Sequence, residues 1–157
     1  MLVLLIGLAI LFLDQLTKQA VRANIVYGDS HPVIDGFFNL VYVRNDGAAW
    51  NILSGHGIVL ILISVAVLVA LYLFRDKIIE GKKINEVLMG LLIGGIAGNL
   101  IDRIRFGWVT DFLDFEFGTY HYPSFNVADS AICIVFALYF ISSIWSEVQQ
   151  KKKTEPS

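Results

Sequence analysis

Asp129 is the residue of this chain whose surroundings most need a chemical explanation. It stands in Phe125-Asn126-Val127-Ala128-Asp129-Ser130, a few residues inside an apolar run. A carboxylate at such a depth in a spanning segment is costly and is by default a functional candidate. Helix capping explains the same spacing equally well, with Asn126 as N-cap and Asp129 in the first turn, where the macrodipole favours negative charge. Position alone weighs these two readings evenly. Asp111, in Trp108-Val109-Thr110-Asp111-Phe112-Leu113-Asp114, lies in a segment where aspartates are usually solvated, and Asp114 equals it on spacing. What gives Asp111 weight is its place close to the start of the run holding Asp129. Two carboxylates held together beside a low-dielectric phase cannot both ionise easily, so they share a proton. The ionised member can take a proton from water while the protonated member donates to a carbonyl oxygen. This is the acid–base logic of aspartic proteases, and it needs neither a metal nor a covalent intermediate.

Other polar residues recur at helical spacing. Asp14, Lys18 and Arg22 are each four apart, which suits an ion pair along one helix face or an ordered polar cluster at a membrane boundary. Gly90, Gly94 and Gly98 form a small-residue stripe that Gly95 widens, a seam where another helix or a substrate helix could approach closely. Asp102 continues that stripe; Asn99 and Arg103 continue the one from Gly95. Asn45-Asp46-Gly47-Ala48-Ala49-Trp50 reads as a turn followed by small residues, either hairpin chemistry or a place for backbone to meet a ligand. Cys133, the sole cysteine, reads as a packed small side chain. His31, His56 and His121 are scattered and no metal-binding motif appears, so neither metal nor cofactor is expected.

The elements that must position these groups are membrane helices. Of 157 residues, 56% are hydrophobic and only 17% charged, and the apolar excess is gathered in long charge-free runs. Spans are expected at about 2–23, 57–75, 86–104 and 126–146, as one membrane domain over residues 1–157. The first run lacks a basic leader and a small-residue cleavage site, so it reads as a retained helix; the chain starts directly in that span, which suggests trimming. Arg75, just before a 76–85 loop, with Lys77, Lys82 and Lys83 inside it, and Lys151, Lys152 and Lys153 after the last span put both regions on the cytoplasmic side, with both termini. Lys18, Arg22, Arg44, Arg103 and Arg105 then fall at the outer face, where snorkelling is the simple explanation. Outer segments 24–56 and 105–125 carry turn dipeptides and β-formers, and predict a small antiparallel sheet ending at Pro123. Its aromatics (Phe37, Phe38, Trp50, Phe112, Phe115, Tyr120, Tyr122) suit an interfacial belt. The polar tail 149–157 is expected to be disordered. A formal charge of −2 without a basic stripe argues against nucleic acid. The fold class is therefore all-α membrane, four helices with a small sheet on the outer face.

Five segments together resemble a known family. Asp14-Gln15-Leu16-Thr17-Lys18, Asn45-Asp46-Gly47-Ala48-Ala49-Trp50, Gly94-Gly95-Ile96-Ala97-Gly98-Asn99-Leu100-Ile101-Asp102-Arg103, Val109-Thr110-Asp111-Phe112-Leu113-Asp114 and Phe125-Asn126-Val127-Ala128-Asp129 are similar, in order, to the motifs of bacterial lipoprotein signal peptidases. The resemblance implies an aspartic endopeptidase of the bacterial cytoplasmic membrane. Such an enzyme cuts the signal peptide from a prolipoprotein just before its diacylglyceryl-modified cysteine. It implies Asp111 rather than Asp114 as the partner of Asp129, and supporting roles for Asp14, Lys18, Asn45, Gly95, Asn99, Arg103, Asn126 and Ala128. The expected partners are that lipid-modified substrate and membrane lipid, with the protein a monomer and its active site near the outer face. The family usually has basic residues ahead of its first span, and this chain has none. Read without the resemblance, intramembrane carboxylates and glycine-rich helices also suit a small proton- or cation-coupled transporter, or a membrane assembly subunit.

Overall fold

The computed structural model describes the backbone of residues 1–48 and 52–154. Ala49 and Trp50 of the second motif lie outside the described residues. Five helices and four strands follow one another as α1 (Leu2–Asn24), β1 (Ser30–Ile34), β2 (Phe38–Asn45), α2 (Gly57–Leu73), α3 (Arg75–Ile79), α4 (Lys83–Phe106), β3 (Val109–Phe117), β4 (Tyr120–Phe125) and α5 (Val127–Thr154). Among the described residues, three helical segments are long and apolar enough to cross a membrane: Leu2–Asn24, Lys83–Phe106 and Val127–Trp145. The apolar helix α2 is shorter, at 17 residues. Two expectations are corrected here. The 76–85 loop is largely helical, since it holds α3 and the start of α4, and the chain is helical to Thr154, so most of the supposedly disordered tail continues α5.

The glycine stripe explains how the helices pack. A Cβ on Gly94 would stand 2.6 Å from the Gly7 carbonyl oxygen, and one on Gly90 would stand 2.9 Å from that of Val3. Helix α1 therefore lies directly on the α4 backbone. On the neighbouring face, a Cβ on Gly95 would stand 2.7 Å from the Ala128 carbonyl oxygen, so α5 packs equally close. Only glycine allows both approaches, and short interaxial distances give extensive dispersion contact. The seam that could have admitted a substrate helix is filled by α1.

The four strands form one antiparallel sheet in the order β1-β2-β3-β4. Gly36 and Gly118 take positive φ in the turns joining β1 to β2 and β3 to β4, a conformation open to glycine at little cost. The sheet extends past Pro123, which lies inside β4. Both prolines of the sheet, Pro32 and Pro123, are on its edge strands, where a missing N–H breaks no ladder. Val21, Tyr42 and Phe112 pack the sheet onto the end of α1. Phe112, expected in an interfacial belt, is thus a core residue.

The parity of β3 places its side chains on two surfaces. Val109, Asp111, Phe115 and Phe117 line an open groove of about 920 Å³. The alternate positions Thr110, Phe112 and Asp114 are buried on the other side of the strand. Register shifts in the β2–β3 and β3–β4 ladders fall on the flanking strands, one β3 residue facing two on each neighbour.

Candidate active site

Asp111 and Asp129 meet at the groove, and Asn126 joins them. Its Nδ2 donates to Asp111 Oδ1 at 2.7 Å, and its backbone N–H donates to Asp129 Oδ2 at 3.2 Å. In return the Asp129 N–H donates to Asn126 Oδ1 at 2.9 Å. This is a reciprocal capping box at the start of α5, with Asn and Asp in place of the commoner Ser/Thr and Glu. Helix capping and placement in the groove, set against each other from the sequence, are the same arrangement.

Three asparagine amides face the two carboxylates, and each is oriented by a group that can only donate. The Asn126 carbonyl is held by the Asp129 backbone N–H, which leaves its NH₂ for Asp111. The Asn45 carbonyl accepts the Gly47 N–H at 3.0 Å, so its Nδ2 donates to Asp111 Oδ2 at 3.0 Å. The Asn99 carbonyl accepts the Lys18 ammonium at 2.8 Å, which leaves its Nδ2 to donate to Asp129 Oδ1 at 2.7 Å. An ammonium has no acceptor, so this last orientation is fixed chemically.

Lys18 is completely buried and makes no use of snorkelling. It lies 2.9 Å from Asp14 Oδ2 and 3.5 Å from Asp102 Oδ2. Asp102 Oδ2 also faces Arg22 Nη1 at 3.6 Å and accepts the Thr110 N–H at 3.0 Å. Asp14 Oδ1 accepts the Ala128 N–H at 2.9 Å, satisfying a free donor in the first turn of α5. Gln15 donates to both Asp14 and Asp102. Two carboxylates and two cations balance, and nearly every oxygen and ammonium proton is bonded, which is what buried charge requires. This cluster ties α1, α4, β3 and α5 together directly behind the two groove aspartates.

Asp111 is 2% exposed, whereas Asp129 is only half-buried. Burial, and next the charge of Asp129, push the Asp111 carboxyl up to about 7, against weaker opposition from the Asn45 and Asn126 hydrogen bonds. Arg103 also borders the groove. Its Nη2 donates to the Gly47 carbonyl at 2.9 Å, pinning the loop after β2, and its Nε is buried without a hydrogen bond among the described residues. Asp114 points away, to Asn39 and Ser124. The expected site residues thus fall into two shells: Asn45, Asn99, Arg103 and Asn126 at the carboxylates, and Asp14, Lys18, Gly95 and Ala128 behind them.

Residues 6–145 match the family model described as Signal peptidase (SPase) II. The chain belongs to the signal peptidase II family. Its relatives include the lipoprotein signal peptidases of Bacillus pumilus, 41% identical with 96% of this chain and 97% of that one covered, and Bacillus subtilis, 39% identical with 98% and 99% covered. A solved structure described as a bacterial membrane enzyme, determined by the in meso method at 2.3 Å resolution, is 36% identical and superposes with a TM-score of 0.86 over 99% of this chain and 94% of that one. A second, at 1.9 Å resolution, is 38% identical with a TM-score of 0.80 over 89% and 90%. Membership makes this chain a membrane protease and leaves the transporter reading unfavoured. Gln15, Arg22, Asp102 and Thr110 were not singled out as site residues of this signal peptidase II chain from the sequence. Two of them carry a signal there: Arg22 lies one helical turn beyond Lys18, and Asp102 is an acidic residue on a stripe otherwise made of glycine. Thr110 enters both through its backbone N–H, which donates to Asp102, and through its hydroxyl, which accepts from Arg22 Nη1 at 2.9 Å.

Proposed function

We propose that Asp111 and Asp129 are the catalytic pair of an endopeptidase that removes signal peptides from prolipoproteins, cutting before the diacylglyceryl-modified cysteine. The observation carrying this reading is that Asn126 holds both carboxylates at one groove. A pair sharing one proton near neutral pH has the composition that water activation needs. In the reaction, a water between the carboxylates gives its proton to the ionised member as its oxygen attacks the scissile carbonyl carbon. The protonated member donates to the carbonyl oxygen. Collapse of the tetrahedral intermediate breaks the C–N bond, and the departing amine takes up the proton.

The supporting residues hold this geometry. Asn45, Asn99 and Asn126 keep both carboxylates fixed through amides that cannot rotate without losing another bond. Arg103 holds the loop that borders the groove, and Lys18 with Asp14 sets Asn99 and the start of α5. The apolar part of the groove, including Val43, Phe115, Phe125 and Ile132, suits lipid and signal-peptide side chains.

Four spans, both termini in the cytoplasm and an outer-face active site complete the proposal, within one domain and a monomer. The path of the chain supports it. Gly57 at the start of α2 approaches Gly107 at the end of α4, so both ends lie beside the sheet. Helix α4, 24 residues and so about 36 Å long, begins far from that level. Helices α2 and α3 must carry the chain across the same distance. The test of the chemistry is cleavage of a lipid-modified prolipoprotein by purified Asp111→Asn and Asp129→Asn variants. Each is expected to lose at least the ~10²–10⁴-fold typical of positioned acid–base groups. Wild-type turnover by either variant would sink the dyad.

A further inference from the structure

The face of β3 turned away from the groove gathers a second set of ionisable side chains. Asp114 and Glu116 are two apart on β3 and so share that face. His121 is the direct cross-strand neighbour of Glu116 on β4, and Asn39 that of Asp114 on β2. His121 Nδ1 stands 3.6 Å from Asp114 Oδ2 and 3.6 Å from Glu116 Oε1. One ligand atom from each of the three residues lies within 4.8 Å of the others. Asn39 Nδ2 reaches the same two oxygens, at 3.1 Å and 2.8 Å. Among the described residues no lysine or arginine pairs with either carboxylate, and Asp114 is 8% exposed.

We propose that Asp114, Glu116 and His121 form a divalent-cation site of the zinc class, built across the β3–β4 hairpin on the reverse of the groove wall. Zinc takes imidazole nitrogen and carboxylate oxygen at about 2.0–2.2 Å, so neighbouring ligands of a tetrahedral ion stand about 3.4 Å apart. The two observed separations of 3.6 Å are close to that edge before any ion draws the ligands inward. The donor set of one imidazole and two carboxylates also suits zinc or cobalt better than magnesium, which prefers oxygen alone. A cation supplies the positive charge that two adjacent carboxylates otherwise lack. Asn39 can turn its amide to offer Oδ1 as a fourth ligand, and water can take that place instead. Bound metal would tie together residues 114–121, whose Phe115 and Phe117 line the groove, and so stiffen that wall from behind.

The experiment uses the full chain, purified in detergent with an affinity tag free of histidine and stripped by chelator. Cobalt titration, read by the visible absorption of tetrahedral Co²⁺, is expected to saturate at one equivalent. Zinc is expected to displace the signal and raise the melting temperature. His121→Ala, at a 59% exposed side chain, and Glu116→Gln are expected to fold normally and to weaken binding at least about tenfold. His31→Ala and His56→Ala are expected to leave it unchanged. Absence of the tetrahedral spectrum at millimolar cobalt, or equal binding by His121→Ala, would overturn the proposal. A protonated His121 without metal would reveal itself through the first of these outcomes. The readout is metal binding, so it stands or falls apart from the peptidase assignment.

Discussion

At the scale of single residues, Asp111 couples activity and stability to pH. Its carboxyl ordinarily titrates at 3.8 and is pushed up to about 7 in the folded chain. The folded state therefore prefers the protonated form, and the contribution of this group to stability is complete below the lower value and is lost as pH climbs through the upper one. Asp111→Asn removes that loss. The variant is expected to melt higher relative to the wild type at about pH 8 than at about pH 5. A pH-independent difference in melting temperature would contradict the raised value. Cleavage should in turn decline on the alkaline side as the shared proton leaves. Lys18 carries the opposite lesson. Lys18→Met would leave Asp14 and Asp102 buried with only Arg22 as counter-charge, and should destabilise by ~3–5 kcal/mol. Chemical denaturation in mild detergent measures this, and a loss below ~1 kcal/mol would mean the cluster is solvated.

At the scale of elements, positions are set by how closely backbones can approach and by the two-residue period of a strand. Gly94→Ala would set a methyl 2.6 Å from the Gly7 carbonyl oxygen. Backbone cannot yield as a side-chain tip does, so α1 and α4 must separate, at a cost of ~1–3 kcal/mol. Gly57→Ala meets Gly107 O at an ordinary 3.7 Å and should melt close to the wild type. Equal melting of the two variants would show that close packing at the seam does not matter. Strand parity also separates the two aspartates that spacing left tied. Asp111 falls on the groove face of β3 and Asp114 on the face carrying His121. That face was invisible in the sequence, where His121 lies five residues beyond Glu116 and a turn must fold one back onto the other.

At the scale of the whole molecule, the number of crossings decides on which side each loop lies. Four crossings put Asp35 and Asp76 on opposite sides. In a Cys133→Ser background, Asp35→Cys should react with a membrane-impermeant maleimide from outside intact cells, and Asp76→Cys only after permeabilisation. Labelling of both from one side would mean that α2 does not cross. The sequence by itself determined the membrane class, three of the apolar helices by length and the existence of a small sheet. It also determined, through five ordered motifs, the family and both groove aspartates. These depend on hydrophobic runs, turn dipeptides and residue identity, all of which are local. Only the tertiary structure decided that α1 fills the glycine seam and that Lys18 is a buried strut acting through Asn99. It alone showed that Asp102 and the Thr110 backbone belong to the support of the site, and that one asparagine joins Asp111 to Asp129. Those outcomes depend on contacts such as Asp14 to Ala128 and Asn45 to Asp111, between residues far apart in the chain. No local pattern encodes which distant donor meets which acceptor; that follows once the glycine seam has brought the helices together and the sheet register has set the faces.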